Sequence, residues 1–214
     1  GEDNIHVAFV SDLGSEENIF YVNKTSLGWS TPVNVFAESY IDRNPCIVAD
    51  SQGVVHIIWT NYHTLTMHLY YTNNSGGSWD TPLELANSSA LYDPDMGIDN
   101  QGNIHIIWSG DDYYEGDYDL MYTTNVGGSW NTQAVTNSSS IVDEEYTQIA
   151  VSGEGIVNIV CKRSDPSYIG IIFITGVWGS WSTPVSINAT TTDNYWNSIS
   201  LDASGNSHIV FMQD

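Results

Sequence analysis

The segment GVVHIIW at 53–59 returns almost unchanged as GNIHIIW at 102–108. Weaker copies are DNIHVAF at 3–9, GIVNIVC at 155–161 and GNSHIVF at 205–211. Aligned on the histidine they give His6, His56, His105, Asn158 and His208, spaced by 50, 49, 53 and 50 residues. Five occurrences at one period define a tandem repeat, and a repeat of this length limits the chain to an architecture of stacked, equivalent units.

Each period holds three more landmarks. An aromatic run follows the histidine (NIFYVN, HLYYTN, DLMYTT, GIIFIT), then a turn with a tryptophan segment (GWSTPVNV, GSWDTPLEL, GSWNTQAV, GSWSTPVSI). A short apolar run closes the period in a tight turn (PCIVADSQG, DMGIDNQG, TQIAVSGEG, SISLDASG). Short β-branched and aromatic runs separated by Gly, Asn, Asp and Ser are strands. In the DSQG-type endings the aspartate bonds forward to backbone and the glycine takes a positive φ, which suits a hairpin. No window has sustained helical periodicity.

Four short strands per period of about 50 residues predict an all-β fold, a β-propeller of four-stranded antiparallel blades. A single such sheet cannot bury both of its faces, whereas blades stacked face to face bury each other. That explains why IHIIW is apolar on both alternations. A β-sandwich gives no reason for a fixed period. The expected organisation is one domain over 1–214, with repeats at 1–52, 53–101, 102–154 and 155–204 and a partial fifth at 205–214. The chain enters at a second strand, giving four repeats plus an extra C-terminal strand. Those last strands either complete the first blade or leave an open piece that pairs with a second copy.

The turns TNNSGGSW (72–79) and TTNVGGSW (123–130) resemble the Asp-box of sialidase-like (BNR repeat) propellers, with Asn74 and Asn125 standing where that family has aspartate. VNKTSLGW and ITGVWGSW depart from the pattern. The resemblance implies a propeller whose boxes are turn elements remote from any active site. It also implies sialidase chemistry only if three arginines can grip a substrate carboxylate. Arg43 and Arg163 are the only arginines, so one chain cannot assemble that triad.

Four basic residues face 26 acidic ones, for a formal charge of −22. That surface repels phosphate backbones and anionic lipid, which disfavours nucleic acid and membrane partners. No apolar stretch reaches the roughly 18 residues needed to span a bilayer. Cys46 and Cys161 lie in apolar runs and are expected to be buried thiols rather than a disulfide or a zinc site. The repeated histidines are expected to be structural, each a neutral imidazole bonded within its blade to a backbone carbonyl of the next turn. Phe9, Trp59, Trp108, Cys161 and Phe211 are expected in the core, with Trp29, Trp79, Trp130 and Trp181 pinning outer strands.

The segments just before each inner strand should open onto the axial pocket: SYIDRNP, LYDPDM, VDEEYTQ and TDNYWNS. They nominate Tyr40, Asp42, Arg43, Tyr92, Asp93, Asp143, Tyr146, Asp193, Tyr195 and Trp196. Aromatic faces beside carboxylates suit sugar rings, whose apolar face stacks while the hydroxyls bond. A solvated acidic loop is the competing reading. No catalytic motif is present, and with so many acids a plausible carboxylate pair arises by accident. No cofactor is implied. The loop SGDDYYEGDYD offers Asp111, Asp112, Glu115 and Asp117 as oxygen ligands for calcium, without the regular spacing of an EF-hand.

The expected function is non-catalytic recognition or adhesion, directed at carbohydrate. Five Asn-x-Ser/Thr sequons (Asn23, Asn73, Asn87, Asn137, Asn188) fit an extracellular or cell-surface setting. The alternatives are a fragment of an Asp-box glycoside hydrolase or lyase, and a propeller piece that closes a ring by self-association.

Overall fold

The computed structural model describes residues 4–12, 16–37, 40–111, 118–137, 142–190 and 194–213. Among these every regular element is a strand. The chain is an all-β protein of the β-propeller class, built from antiparallel meander blades, and its residues fall into two compact units, Gly1–Asn87 and Ser88–Asp214.

The first unit holds two sheets. One joins β1 (Ile5–Asp12), β2 (Glu17–Thr25), β3 (Gly28–Trp29) and β4 (Val33–Asn34), where β3 and β4 are successive pieces of one outer strand on β2. The other runs β5 (Ile41–Ala49), β6 (Val55–His63), β7 (Thr66–Asn73), β8 (Leu83–Ser88), β8 ending on the first residue of the second unit. In the second unit one sheet orders β9 (Leu91–Ile98), β10 (Ile104–Asp111), β11 (Tyr118–Thr124) and β12 (Asn131–Ala134). The next orders β13 (Asp143–Val151), β14 (Val157–Asp165) and β15 (Tyr168–Val177), with β16 (Ser180–Trp181) and β17 (Val185–Thr190) both on β15. A two-stranded sheet, β18 (Asn194–Leu201) with β19 (Ser207–Gln213), ends it. The repeat period and the order of strands within a blade are those read from sequence.

Burial on both alternations is clearest on β14. Val157, Ile159 and Cys161 pack against Ile107, Leu120 and Tyr122 of the preceding blade. Val160, on the other face, packs with Ile171 and Ile199. Each such side chain contributes roughly 1.5–3 kcal/mol when fully buried. In the first unit Ile19 and Val35 meet Val55, Ile57 and Trp59 in the same way. Of the expected core column, Trp59, Trp108 and Cys161 are buried while Phe9 and Phe211 are half-buried. Neither cysteine forms a disulfide; Cys161 is buried and Cys46 only half-buried.

The inner hairpins have the expected chemistry. Asp50 Oδ1 accepts from the amides of Gln52 and Val54 at 2.8 Å, and Asp99 and Asp202 do the same in their turns. Gly53, Gly102, Gly155 and Gly205 all sit at φ between 81° and 84°, where a side chain would be strained. In the tryptophan turns Asn74 and Asn125 reach back, accepting from the amides of Val55 and Ile104 at 2.8 and 2.7 Å.

The histidines are structural, but their partners differ from expectation. Nδ1 meets a tyrosine hydroxyl of the third strand, not a backbone carbonyl: His6 with Tyr21 at 2.6 Å, His56 with Tyr71 at 2.8 Å, His105 with Tyr122. Nε2 faces the aspartate that opens the preceding turn, at 3.3 Å in His105–Asp99 and His208–Asp202 and 3.8 Å in His56–Asp50. Asp99 Oδ2 can only accept, so His105 carries its proton on Nε2, and in the neutral ring Nδ1 accepts from the Tyr122 hydroxyl, whose pKa burial pushes up to about 12. Where Asn158 replaces histidine, Ser152 replaces the aspartate and Phe173 the tyrosine, and Asn158 Oδ1 instead accepts Thr175 Oγ1 at 3.1 Å. The three positions change as a set because they form one relay.

The outer tryptophans lock this relay from the next blade. Trp79 stands edge-on to Tyr21 (5.1 Å, 77°) and Trp181 edge-on to Tyr122 (4.9 Å, 76°). Trp29 is more than half exposed.

Two outcomes follow. A Cβ on Gly97 would stand 2.4 Å from Val151 Cγ2 of the adjacent blade, so Gly97→Ala should cost about 1–3 kcal/mol in urea unfolding. Burial, partly offset by Asp99, lowers the pKa of His105 below 6.5. Unfolding then takes up a proton below that pH, so the unfolding midpoint should fall as pH drops from about 6.5, and His105→Gln should flatten that dependence.

Candidate functional site

The four inner strands β5, β9, β13 and β18 each break register against their neighbour at one place: Arg43/Cys46, Ile107/Ser109 on the partner of β9, Glu145/Gln148 and Tyr195/Asn197. At each break one non-glycine residue is left-handed: Asn44 (φ 51°), Asp93 (49°), Tyr146 (56°) and Trp196 (52°). All four lie twelve residues before the histidine position of their repeat. Such a bulge re-aims side chains at a strand end and costs on the order of 1–3 kcal/mol where the residue is not glycine. The nominated segments are therefore not loops ahead of the inner strands. Asp42, Arg43, Tyr92, Asp93, Asp143, Tyr146, Tyr195 and Trp196 belong to the first residues of those strands, at or before the bulge.

Three bulges occur in the second unit, and hydrogen bonds join them in series. Asp93 Oδ2 accepts the Tyr146 amide at 2.9 Å, and the Tyr146 carbonyl accepts Asn197 Nδ2 at 2.8 Å. Asp95 Oδ2 holds the Ile149 amide at 2.9 Å alongside. Burial raises the Asp93 carboxyl above its ordinary value, against the opposing pull of the Tyr146 amide.

Around this spine lie four rings. Tyr92 and Tyr118 meet edge to face (5.5 Å, 88°), and Tyr146 and Trp196 are tilted together at 5.8 Å. Trp196 is 71% exposed, among the most exposed large apolar side chains. Asp143 Oδ1 accepts the Tyr118 amide at 3.3 Å. Burial, then the proximity of Tyr92, Asp143, Glu145 and Asp111, holds the Tyr118 hydroxyl above its usual range. Lys162 Nζ is 3.8 Å from Glu145 Oε2 and 5.8 Å from the Tyr146 ring centroid. The result is an aromatic terrace edged with carboxylates.

Two further acids are buried and structural. Asp42 and Glu144 occupy the same repeat position, two residues before the bulge. Asp42 Oδ1 accepts Trp59 Nε1 at 2.9 Å and Asn61 Nδ2 at 2.7 Å. Glu144 accepts Thr136 Oγ1 at 3.2 Å and pairs with Arg163 Nη1 at 3.5 Å. Of the nominated residues in the first unit, Tyr40 stacks on His63 at 3.5 Å, and Arg43 bonds Glu17 at 2.6 Å while lying 5.5 Å from the Tyr62 ring.

The structure thus brings together Tyr92, Asp93, Asp143, Tyr146 and Trp196. Tyr40, Asp42 and Arg43 belong to the other unit, and Asp42 is a core acid. Asp193 and the Tyr195 side chain lie outside the described residues. Tyr118, Glu145 and Lys162 were missed by sequence reasoning; Tyr118 and Lys162 come from neighbouring strands that share the bulge end. Of the acidic loop, Asp111 accepts Ser89 Oγ at 2.9 Å, and Asp112, Glu115 and Asp117 are outside the described residues. Among the described residues no group of three His, Cys, Asp or Glu is arranged to hold a metal ion.

No protein-family model matches the chain, and no curated protein matches it. Solved structures do share the fold. The α-L-arabinanase of Penicillium chrysogenum, complexed with arabinobiose, gives a TM-score of 0.68 at 12% identity over 95% of this chain and 69% of the arabinanase. The GH93 α-L-arabinofuranosidase of Fusarium graminearum, also with arabinobiose, gives 0.67 at 11% over 97% and 71%. A PL25 ulvan lyase bound to -[GlcA(1-4)Rha3S]- gives 0.66 at 11% over 92% of this chain, which spans 55% of the lyase. At such identities the likeness concerns the fold.

Asp93 yields a check on the spine. Asp93→Asn keeps an acceptor for the Tyr146 amide without a buried charge and should match or exceed the native unfolding midpoint at pH 7. Asp93→Ala orphans that amide and should lose about 1–3 kcal/mol.

Proposed function

We propose that this chain is a non-catalytic, extracellular carbohydrate-recognition module, which binds sugar rings on the terrace of Tyr92, Tyr118, Tyr146 and Trp196. The observation that carries the reading is Trp196, a large ring left mostly in water at a backbone angle that only a supporting framework maintains. Solitary exposed aromatics are ordinary, but one tilted against a second ring, edged by acids and on a hydrogen-bonded spine is a built surface. The apolar face of a pyranose stacks on such rings while Asp143 and Glu145 accept its hydroxyls. The sugar complexes among the structures of like fold lend support, as does the charge of −22, which turns away anionic partners.

A glycan array followed by calorimetry tests this. Trp196→Ala should weaken binding of the selected glycan at least tenfold and leave the unfolding midpoint within about 0.5 kcal/mol, as for other surface changes. Binding unaffected by both Trp196→Ala and Tyr92→Ala would remove the proposal.

A second reading, a piece of a glycoside hydrolase or lyase with Asp93 as its acid, is favoured by the raised Asp93 carboxyl and by the share of the lyase's length that the chain spans. Release of reducing ends or unsaturated products from a polysaccharide panel, abolished in Asp93→Asn, would establish it over the first. The Asp-box resemblance and ring closure by self-association stay with these proposals, the latter requiring a solution mass at a multiple of 23.6 kDa.

A further inference from the structure

At the end of the second unit's inner strands opposite the bulges, the hairpin turns of three successive sheets enclose a groove of about 610 Å³. Its size falls within the roughly 300–1,000 Å³ typical of small-molecule sites. Its origin lies in the one repeat that departs from the Asp–His–Tyr relay. Ser152 and Asn158, which replace the aspartate and histidine, both line it. In the preceding blade the larger pair, Asp99 and His105, is buried and in contact at 3.3 Å. Replacing a carboxylate and an imidazole by a hydroxyl and an amide opens the room and keeps it polar.

The lining defines what fits. Among the described residues no lysine or arginine borders the groove, and Glu154 is an exposed carboxylate on its wall, which disfavours anions. The oxygens of Asp202 are already engaged by Ser204, Asn206 and His208, so it is a fixed wall rather than a ligand group. Ser152 Oγ already accepts the Glu154 and Ile156 amides and Asn158 bonds the Ala150 carbonyl and Thr175, so the groups offered are the Ser152 hydroxyl proton, the second Asn158 amide proton and the Asn100 side chain, while Val151 and Leu201 supply an apolar floor. Gly153 lets the turns close up: a Cβ there would stand 2.2 Å from Asn100 Nδ2, and its carbonyl accepts the Asn100 amide at 3.1 Å.

We infer that this groove is a second binding site, for a neutral, hydroxyl-rich ring the size of a monosaccharide, created by the loss of the relay in the β13–β17 blade. It is separate from the terrace, and neither site requires the other.

The test is amide NMR titration of the whole chain with D-galactose, D-xylose and L-rhamnose. The amides of Gly153, Gly155 and Gly205 report the groove, and those of Tyr146 and Trp196 report the terrace. At least one sugar should shift the three glycine amides saturably, with the shifts retained in Trp196→Ala. Ser152→Asp/Asn158→His/Phe173→Tyr, which restores the relay, should abolish those shifts without lowering the unfolding midpoint. Should that variant fail to fold, Ala203→Arg, at a turn position held by Ser51 and Asn100 in other repeats, serves to block the groove instead. Absence of saturable glycine shifts with all three sugars overturns the inference, as do shifts that survive in the folded relay-restored variant or in Ala203→Arg. Loss of sugar response at Tyr146 and Trp196 alone bears only on the terrace.

Discussion

The constraint beneath everything else is that a second strand such as β14 is apolar on both faces and cannot be covered by its own sheet. Val157, Ile159 and Cys161 on one side and Val160 on the other reach dryness only between neighbours. Once one blade must lie on the next, polar groups at the seam must be satisfied internally, because water is excluded there. The Asp–His–Tyr relay meets that need, ties hairpin turn to third strand, and presents the tyrosine face on which the next blade's tryptophan stands.

The same geometry separates two chemically distinct ends. At the hairpin end, identical turns with an aspartate and a left-handed glycine recur with little variation, so any difference in a side chain alters the space between turns. Ser152 and Asn158 make that difference. At the other end, each inner strand bulges through a residue that is not glycine. Asn44, Asp93, Tyr146 and Trp196 share one backbone state but no common side chain. The framework therefore fixes a position and leaves its chemistry variable, an arrangement suited to recognition on a scaffold.

Much of the fold was legible. The histidine period, the four runs per repeat and the D-x-x-G turns together determine blades, strand order and hairpin conformation, because each is a local signal repeated three to five times. The bulge was not legible, since its residue has no common identity and its strand changes direction where the apolar alternation lapses; YIDRNP and YDPDM read as loops for that reason. The tyrosine partner of each histidine was hidden by distance, lying fifteen or seventeen residues on, although the joint change to Ser152, Asn158 and Phe173 was present in the repeats. Of the site, the aromatic and acidic residue types were apparent, but Asp42 and Glu144 sit among acids indistinguishable from them in sequence, and only burial marks them as structural.

The most direct measure of the central claim, that each second strand is dry because its neighbours cover it, is native-state hydrogen exchange followed residue by residue. The account predicts that amides of Ile104–Trp108 and Val157–Cys161 exchange slowest and only through the largest unfolding event, whereas those of β12 and β17 open at lower cost. Exchange of the β10 and β14 amides as fast as, or faster than, those of the outer strands would contradict it.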